Sequence, residues 1–506
     1  MKEADMMKET RRWPLALIVI AAVVIASAVI IYFYRDAPGR ITTHSVTDGE
    51  GGVIVAWYDD NGIYAQRVDA SGRKRWQSGG VLIVKCPAGG MFDLQSDAAG
   101  GAIVTWEDRS DIVDDRDDPA YYDAIPVYAQ RISSDGTFLW GNGIPAGSTG
   151  RYSHGYPQVV PDETGGAIYA WNDYKTYIKG LHDDFLRVQR IAPGGSRAWG
   201  DEGILVAASS PFRPITEEEI AGGIKGTVHR SWPTYKGQHT AVADGDGGVI
   251  VLWEEELDAS NDAVYAMRIN GDGNQSWPER VMIDSGQGCH IRSAVSDGNG
   301  GSIVAIASNI PEATYLRRLG GDGELSWSET GTAIPSQYAP EMIEDEMGGI
   351  ILFWTRAERP SEPPDEVRYS LTVQNLNPEG ELLWQKNPVL TTPEGQYFSA
   401  DMTADGNGGA ILAWRLYGKD YAAYGDILAL KLDAGGVTSW QTDGKAVLSN
   451  PELKYKGTPQ LLDDGSGGAI IVAAAGRGAL SGDMVYAQRL DADGDRLWGG
   501  GIRLDR

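Results

Sequence analysis

Two short signals alternate along the chain, eight times each, and that alternation leaves few folds open. The first is a Gly-Gly pair with an aspartate three residues before it: Asp48, Asp97, Asp162, Asp244, Asp297, Asp345, Asp405 and Asp464. The second is a tryptophan four residues after a glycine: Trp76, Trp140, Trp199, Trp277, Trp327, Trp384, Trp440 and Trp498. The copies recur at roughly 59 residues, the signature of a supersecondary unit that buries its apolar faces only by stacking on its neighbours.

The last copy shows the unit most cleanly. Residues 463–475, DDGSGGAIIVAAA, read as two strands about a glycine turn, and residues 484–504, MVYAQRLDADGDRLWGGGIRL, as two more about Asp491-Ala-Asp-Gly494. The four strands are called A to D. Strand B carries a second tryptophan five residues after the Gly pair in six copies, with Ile306 and Ala473 in copies five and eight. Four antiparallel strands at this period predict an all-β fold, an eight-bladed β-propeller over residues 43–506. Strand A of the first blade falls at Thr43 to Thr47 and strand D of the last at Leu497 to Leu504, so every blade is complete in chain order. The A-to-B and C-to-D turns are nearly constant in length, whereas the B-to-C and D-to-A connections vary. The alternation of strand direction puts the constant turns on one rim and the variable loops on the other, where function usually sits on a rigid scaffold. The longest loops are 108–126 and 207–240, the latter with a helix-starting capping box at Thr216 to Glu219.

Ahead of the repeats, residues 14–34 are 21 positions without a charge, enough for a helix to cross a bilayer core of about 30 Å. Lys2, Lys8, Arg11 and Arg12 precede this segment, and Arg35 and Arg40 follow it. The positive-inside rule then makes 1–13 a cytoplasmic tail, 14–34 a transmembrane signal anchor and 35–42 a linker to a propeller outside the cytoplasm, in the periplasm or at the cell surface. A cleavable signal peptide is the rival reading, although its apolar region usually ends after 7 to 15 residues. The linker is short, which holds the long-loop rim towards the membrane or sideways to it. The chain carries a net charge of −26, a surface that repels nucleic acid and anionic headgroups. Cys86 and Cys289 follow repeats one and four, too far apart around a ring to bridge.

The hairpin YAQRLDADGDRLW resembles the tryptophan-docking repeat of the pyrroloquinoline-quinone-type β-propellers. In that family an Ala-x-Asp stretch leads through a turn glycine to a tryptophan that docks between blades. Here the alanines are Ala65, Ala129, Ala266, Ala429 and Ala487, and the glycines are Gly72, Gly136, Gly195, Gly273, Gly323, Gly380, Gly436 and Gly494. The turn is one residue shorter than the family's and lacks its usual threonine. The resemblance implies eight blades and structural docking tryptophans. It does not bring the quinone chemistry, because the adjacent Cys-Cys pair of the quinone dehydrogenases has no counterpart. Ser133 to Trp140 is also similar to the Asp-box of sialidases, but its glycine stands four residues before the tryptophan rather than three.

Candidate chemistry is sparse. The aspartate at each Gly-Gly turn suits Asx-turn bonding, and one carboxylate is too few for a calcium ion. Strand C carries a cation five residues before the turn glycine in seven copies, Arg67, Arg131, Arg190, Arg268, Arg318, Lys431 and Arg489, with Asn375 in copy six. These cations reach the rim of the turn aspartates, so ion pairs are expected. Asp111, Asp114, Asp115, Asp117 and Asp118 give loop 108–126 the density, though not the spacing, of a calcium site, and calcium is the one cofactor the sequence suggests. No paired-histidine zinc spacing, nucleophile elbow or phosphate loop occurs. The aromatics and histidines of the long-loop face, Tyr121, Tyr122, His154, His229, Trp232, Tyr235 and His239, are the candidate binding residues.

The sequence therefore predicts a membrane-anchored, extracytoplasmic, monomeric propeller that binds or scaffolds a protein or glycan of the cell envelope. A polysaccharide-active hydrolase or lyase on the long-loop face is the alternative. A reporter active only outside the cytoplasm, fused after Arg506, should be active in intact cells, and its cytoplasmic counterpart silent; the reverse pattern would overturn the topology.

Overall fold

The computed structural model describes residues 41–59, 61–85, 91–108, 126–147, 153–178, 181–209, 212–214, 228–230, 234–309, 312–327, 331–334, 340–345, 347–358, 368–384, 389–392, 396–418, 423–441, 444–448, 450, 452–453, 455–477 and 484–506. The segment 14–34, the Thr216 box and most of loop 108–126 lie outside these residues. Among the described residues no helix is long and apolar enough to cross a membrane.

Eight antiparallel sheets follow one another, each in the order A-B-C-D. The A strands are Thr42–Thr47, Phe92–Ser96, Ser153–Pro161, Thr234–Ala243, His290–Ser296, Glu341–Glu344, Gln396–Ala404 and Gln460–Asp463. Neighbouring A strands touch all the way round, the last against the first, so they line the central channel and the sheets radiate from it as blades. Every blade is built from consecutive strands, and among the described residues no strand is exchanged between the first and last blades. Strands B and C are sandwiched between neighbouring sheets; strand B reads as a continuous apolar run, for example Val53, Ile54, Val55, Ala56 and Trp57, all buried, while strand C buries a Gln among its apolar residues, Gln66 in blade one. Strand D is shorter than expected: in the last blade only Ile502–Arg503 pair, after a single bridge between Leu490 and Arg496. The chain between these points is folded into the tryptophan turn, which takes up residues the sequence reading assigned to the strand.

The motif Tyr-Ala-Gln-Arg of strand C explains that turn. In blade one the Tyr64 ring stacks on Trp57 of strand B. The side-chain oxygen of Gln66 accepts from the backbone N–H of Trp76 (3.0 Å), and its amide donates to the carbonyl of Gln77 (2.8 Å), which clamps the turn to the strand. Arg67 Nε donates to Asp48 Oδ2 (2.9 Å). The other oxygen of Asp48 accepts from the N–H groups of Glu50 (2.9 Å) and Gly52 (2.7 Å), so one carboxylate folds the A-to-B turn and anchors strand C. Gly136 of the next blade lies against the Trp76 ring at φ +88°, where an added Cβ would come within 2.9 Å of the ring. Only glycine admits that approach.

Each turn tryptophan then reaches across a seam. Trp76 Nε1 donates to Ser134 O, Trp140 to Pro193 O, Trp199 to Gly271 O and Trp277 to Gly321 O. Trp327 donates to Pro378 O, Trp384 to Ala434 O, Trp440 to Ala492 O and, closing the circle, Trp498 to Ala70 O. The strand C arginines use the same acceptors: Arg67 Nη1 to Ser134 O, Arg131 to Pro193 O, Arg190 to Gly271 O, Arg268 to Gly321 O, Arg318 to Pro378 O and Arg489 to Ala70 O. Six of the tryptophans are buried, and Trp199 and Trp327 are half-buried. Truncating a buried ring of this kind to alanine costs about 3–5 kcal/mol.

The cation and the turn aspartate pair in seven blades, at 2.9–3.1 Å. In blade one the Arg67 guanidinium, drawn out of water yet held by Asp48 and Glu50, is pushed up from its ordinary value. In blade eight Asp464 is partly desolvated, but hydrogen bonds from Ser466, Gly468 and Arg489 hold it below the usual carboxylate range. Blade six differs. Asn375 Nδ2 lies 3.5 Å from Gly408 O, its Oδ1 is buried without a partner, and Asp345 meets no cation among the described residues. Asp97→Asn should strand the nearly buried guanidinium of Arg131 and cost about 3–5 kcal/mol in denaturant unfolding. Asp345→Asn, which keeps the turn's hydrogen bonds and strands nothing, should cost about 1 kcal/mol or less; equal losses would remove the ion pair from the account of stability.

Candidate binding site in the channel

Four residues before each turn aspartate, strand A carries a polar side chain in every blade: His44, Asp93, Gln158, Thr240, Ser293, Glu341, Asp401 and Gln460. Most of them tie one A strand to the next around the channel. His44 Nδ1 lies 3.4 Å from Asp93 Oδ1, and Asp93 Oδ2 accepts from Val159 N–H at 3.3 Å. Gln158 accepts from Ala241 N–H (2.8 Å) and donates to His239 O (3.3 Å). Ser293 donates to Pro340 O (2.8 Å), Asp401 accepts from Leu461 N–H (2.7 Å), and Gln460 donates to Thr43 O (2.5 Å) while accepting from Ser45 Oγ (3.0 Å). The sequence reading missed this ring, although counting back four positions from each turn aspartate exposes it.

Between blades six and seven the ring brings two carboxyl groups together. Glu341 and Asp401 are hydrogen-bonded to one another, so one of the two must hold a proton. Enclosure in the narrow channel and then the Asp401 charge push Glu341 up to about 8. Enclosure raises Asp401 to about 6 in spite of the N–H bonds from Leu461 and Met402. Glu341 is itself exposed to the channel water, and Asp401 is half-buried.

At the seam between blades four and five Thr240 makes no such bond. Instead Glu254, at the end of strand B (Val249–Glu256) and wholly buried, accepts from Ile291 N–H at 2.8 Å. The short threonine leaves a recess of about 210 Å³ at this seam. Gln158, Gln238, His239, Thr240 and Glu254 line it on one side, Ile291, Arg292 and Ser293 on the other. Three consecutive A strands are irregular here. The pairing shifts register between Ala170 and Asn172, between Tyr235 and His239, and between Ile291 and Ser293, which leaves Arg292 without a partner across its strand. Such bulges re-aim side chains. The Glu254 charge is met by His290 Nδ1 at 2.9 Å and Lys236 Nζ at 3.9 Å, and Lys236 also pairs with Asp262 at 3.1 Å. Among the described residues the exposed guanidinium of Arg292 meets no hydrogen-bond or ion-pair partner.

Of the sequence-predicted binding residues, His239 lines this recess and Tyr235 meets His239 from behind it. Tyr235 is buried, and its hydroxyl donates to Asn172 Oδ1 (2.5 Å) and lies 3.4 Å from His239 Nδ1. His154 sits in strand A of blade three opposite Asp173, and His229 in a hairpin, Phe212–Pro214 with Val228–Arg230, opposite Arg213. Asp111, Asp114, Asp115, Asp117, Asp118, Tyr121, Tyr122 and Trp232 lie outside the described residues. Among the described residues no group of three or more His, Cys, Asp and Glu side chains could hold a metal. Cys289 is a buried free thiol pushed up to about 12 by burial and by Asp284, Glu254 and Asp262.

No family of known proteins and no curated protein matches the sequence. Among solved structures, puromycin hydrolase is similar at 14% identity and a TM-score of 0.40 over 92% of this chain and 55% of that one. Prolyl oligopeptidase B from Galerina marginata, bound to a 35mer substrate, matches at 9% identity and 0.42 over 87% and 56%. A protein from Lactobacillus plantarum matches at 13% and 0.35 over 86% and 90%. The chain spans little more than half the length of the two hydrolases, and no activity is carried over from them.

The carboxyl pair makes a pH prediction. Both folded values lie above the ordinary ones, so the pair's contribution is complete below about pH 4 and is lost as the pH rises through about 6 and then about 8. Denaturant unfolding should show stability falling between pH 5 and pH 9, and Glu341→Gln should flatten that fall; an unchanged slope in the variant would show that the pair does not titrate there.

Proposed function

We propose that the chain is a β-propeller binding or scaffolding module, held at the membrane by residues 14–34 and facing the periplasm or cell surface. Its ligand is a protein or glycan of the envelope, taken at the long-loop end of the channel over blades three to five. The observation that supports this reading is the recess at the seam of blades four and five, where the interblade bond of the channel ring is not made and polar side chains converge. Blade three is built up beside it by the longest B–C hairpin among the described residues, Ala167–Ile178 with Leu181–Ile191. Calcium, in this reading, would be held by the acidic loop 108–126.

Around the recess the buried carboxylates Glu254, Asp173 and Glu255 are already engaged by the protein, which favours binding over catalysis there. Glu254 is spent on a backbone N–H, the His290 ring and the Lys236 ammonium, Asp173 on Arg187 and Trp171, and Glu255 on Arg280 and Trp253. The polysaccharide hydrolase alternative would draw on Glu341 and Asp401, which share a proton. They are hydrogen-bonded directly, whereas glycosidase carboxyl groups stand about 5 Å or more apart with the sugar between them.

The full chain in detergent, screened on glycan and peptide arrays, should bind one ligand class and return it unaltered by mass spectrometry. Thr240→Trp, which fills the recess, should lower that binding at least about tenfold, equivalent to about 1.4 kcal/mol. Turnover of the ligand would replace this reading with the hydrolase one, and unimpaired binding by the variant would move the site elsewhere.

A further inference from the structure

We infer that the recess between blades four and five is a subsite for a carboxylate-bearing sugar, with the Arg292 guanidinium as the group that takes the acid. The inference rests on the binding-module reading and adds the ligand's chemistry to it. The ion pairs of the seven strand C cations are structural: each is bound to its turn aspartate. Lys236, beside the recess, is likewise spent on Asp262 and Glu254. Arg292 is different. It lies at the bulge in strand A of blade five, in the lining of the recess, and among the described residues it bonds nothing. In a chain of net charge −26 an arginine at a channel mouth has carboxylates in plenty to pair with. The one carboxylate in its own recess, Glu254, is already satisfied by Ile291 N–H, His290 and Lys236, so it does not quench the guanidinium.

The remaining lining decides what kind of acid fits. Gln238 and Thr240 offer a free amide and hydroxyl, Gln158 and Ser293 keep a second donor or acceptor position beside their seam bonds, and Ile291 is the only apolar side chain of the lining. A peptide terminus with an apolar side chain would find little to bury there, whereas a ring carrying several hydroxyls would find partners on both walls. The volume of about 210 Å³ is below the roughly 300–1,000 Å³ of pockets for drug-sized ligands, which suits a single sugar unit. A guanidinium meets a carboxylate through two parallel hydrogen bonds, so the acid would fix the sugar's orientation and the amides its hydroxyl pattern.

The test is calorimetric titration of the full chain in detergent with galacturonate and glucuronate oligomers, the matching neutral oligomers, and peptides with a free C-terminal carboxylate. Uronate oligomers should bind at least about tenfold more tightly than their neutral counterparts, Arg292→Gln should abolish that preference, and Arg292→Lys should keep part of it. Unchanged thermal unfolding of both variants would show that the fold is intact, as expected for an exposed, unbonded side chain. No binding of uronates, an acid preference that survives Arg292→Gln, or tighter binding of the peptides would each overturn the inference. A neutral glycan that binds equally well in wild type and Arg292→Gln would defeat the acid assignment and leave the binding module standing. Uronate oligomers cleaved by a protein whose affinity still depends on Arg292 would defeat the module reading instead.

Discussion

A single backbone carbonyl in each docking turn carries the ring. Two residues before every turn glycine, it accepts the indole N–H of the tryptophan in the preceding blade, and in six of the eight seams a guanidinium from the same preceding blade as well. That guanidinium is itself fixed by the aspartate that folds the A-to-B turn of its own blade. Turn, strand and neighbouring blade are thus parts of one hydrogen-bonded chain, repeated round the circle. The apolar faces of strands B and C supply most of the burial, but they are non-directional. The shared carbonyl is what sets how one blade is placed against the next.

Seams six and seven show how the arrangement tolerates change. At seam seven Lys431 keeps the ion pair with Asp405 but, having a point charge in place of a fork, donates to Gly467 O and leaves the carbonyl of Ala492 to Trp440 alone. At seam six Asn375 is too short for either task, and Trp384 alone holds Ala434 O. The tryptophan is present at every seam, the cation at all but one. The indole is therefore the indispensable member, because it fills the wedge between blades as well as donating a bond.

Fold and site were legible to different degrees, for physical reasons. The seams repeat, and repetition is what a single sequence displays: Asp97, Arg131, Gly136 and Trp140 announce their roles because seven other sets do the same. The channel ring repeats too, but only in polarity. His44, Asp93, Gln158 and Glu341 are different residues meeting the same need, and residue identity hides them. The recess does not repeat at all. It arises because Thr240 is short, because three successive A strands slip register, and because Glu254 crosses the seam from strand B; none of these leaves a local motif. Tyr235 and His239 stand out for their chemistry, and the strand that carries both brings them together, whereas Arg292 belongs to no repeated position and no local motif marks it.

The side-chain closure of the seam between blades eight and one has a consequence for how the chain is ordered. Trp498 and Arg489 meet Ala70 O as their counterparts meet every other docking turn, with no strand shared between the ends. The ring therefore does not know where its chain starts. Any of the variable D-to-A connections could serve as the break, provided the first and last blades were joined, and the blades would stack in the same circle. What distinguishes the existing order is mechanical. Seven seams are crossed by both peptide and side chains and one by side chains alone, so a force that pries the ring apart finds its weakest resistance there, beside Gln460 and Ser45, and not at the recess half a turn away.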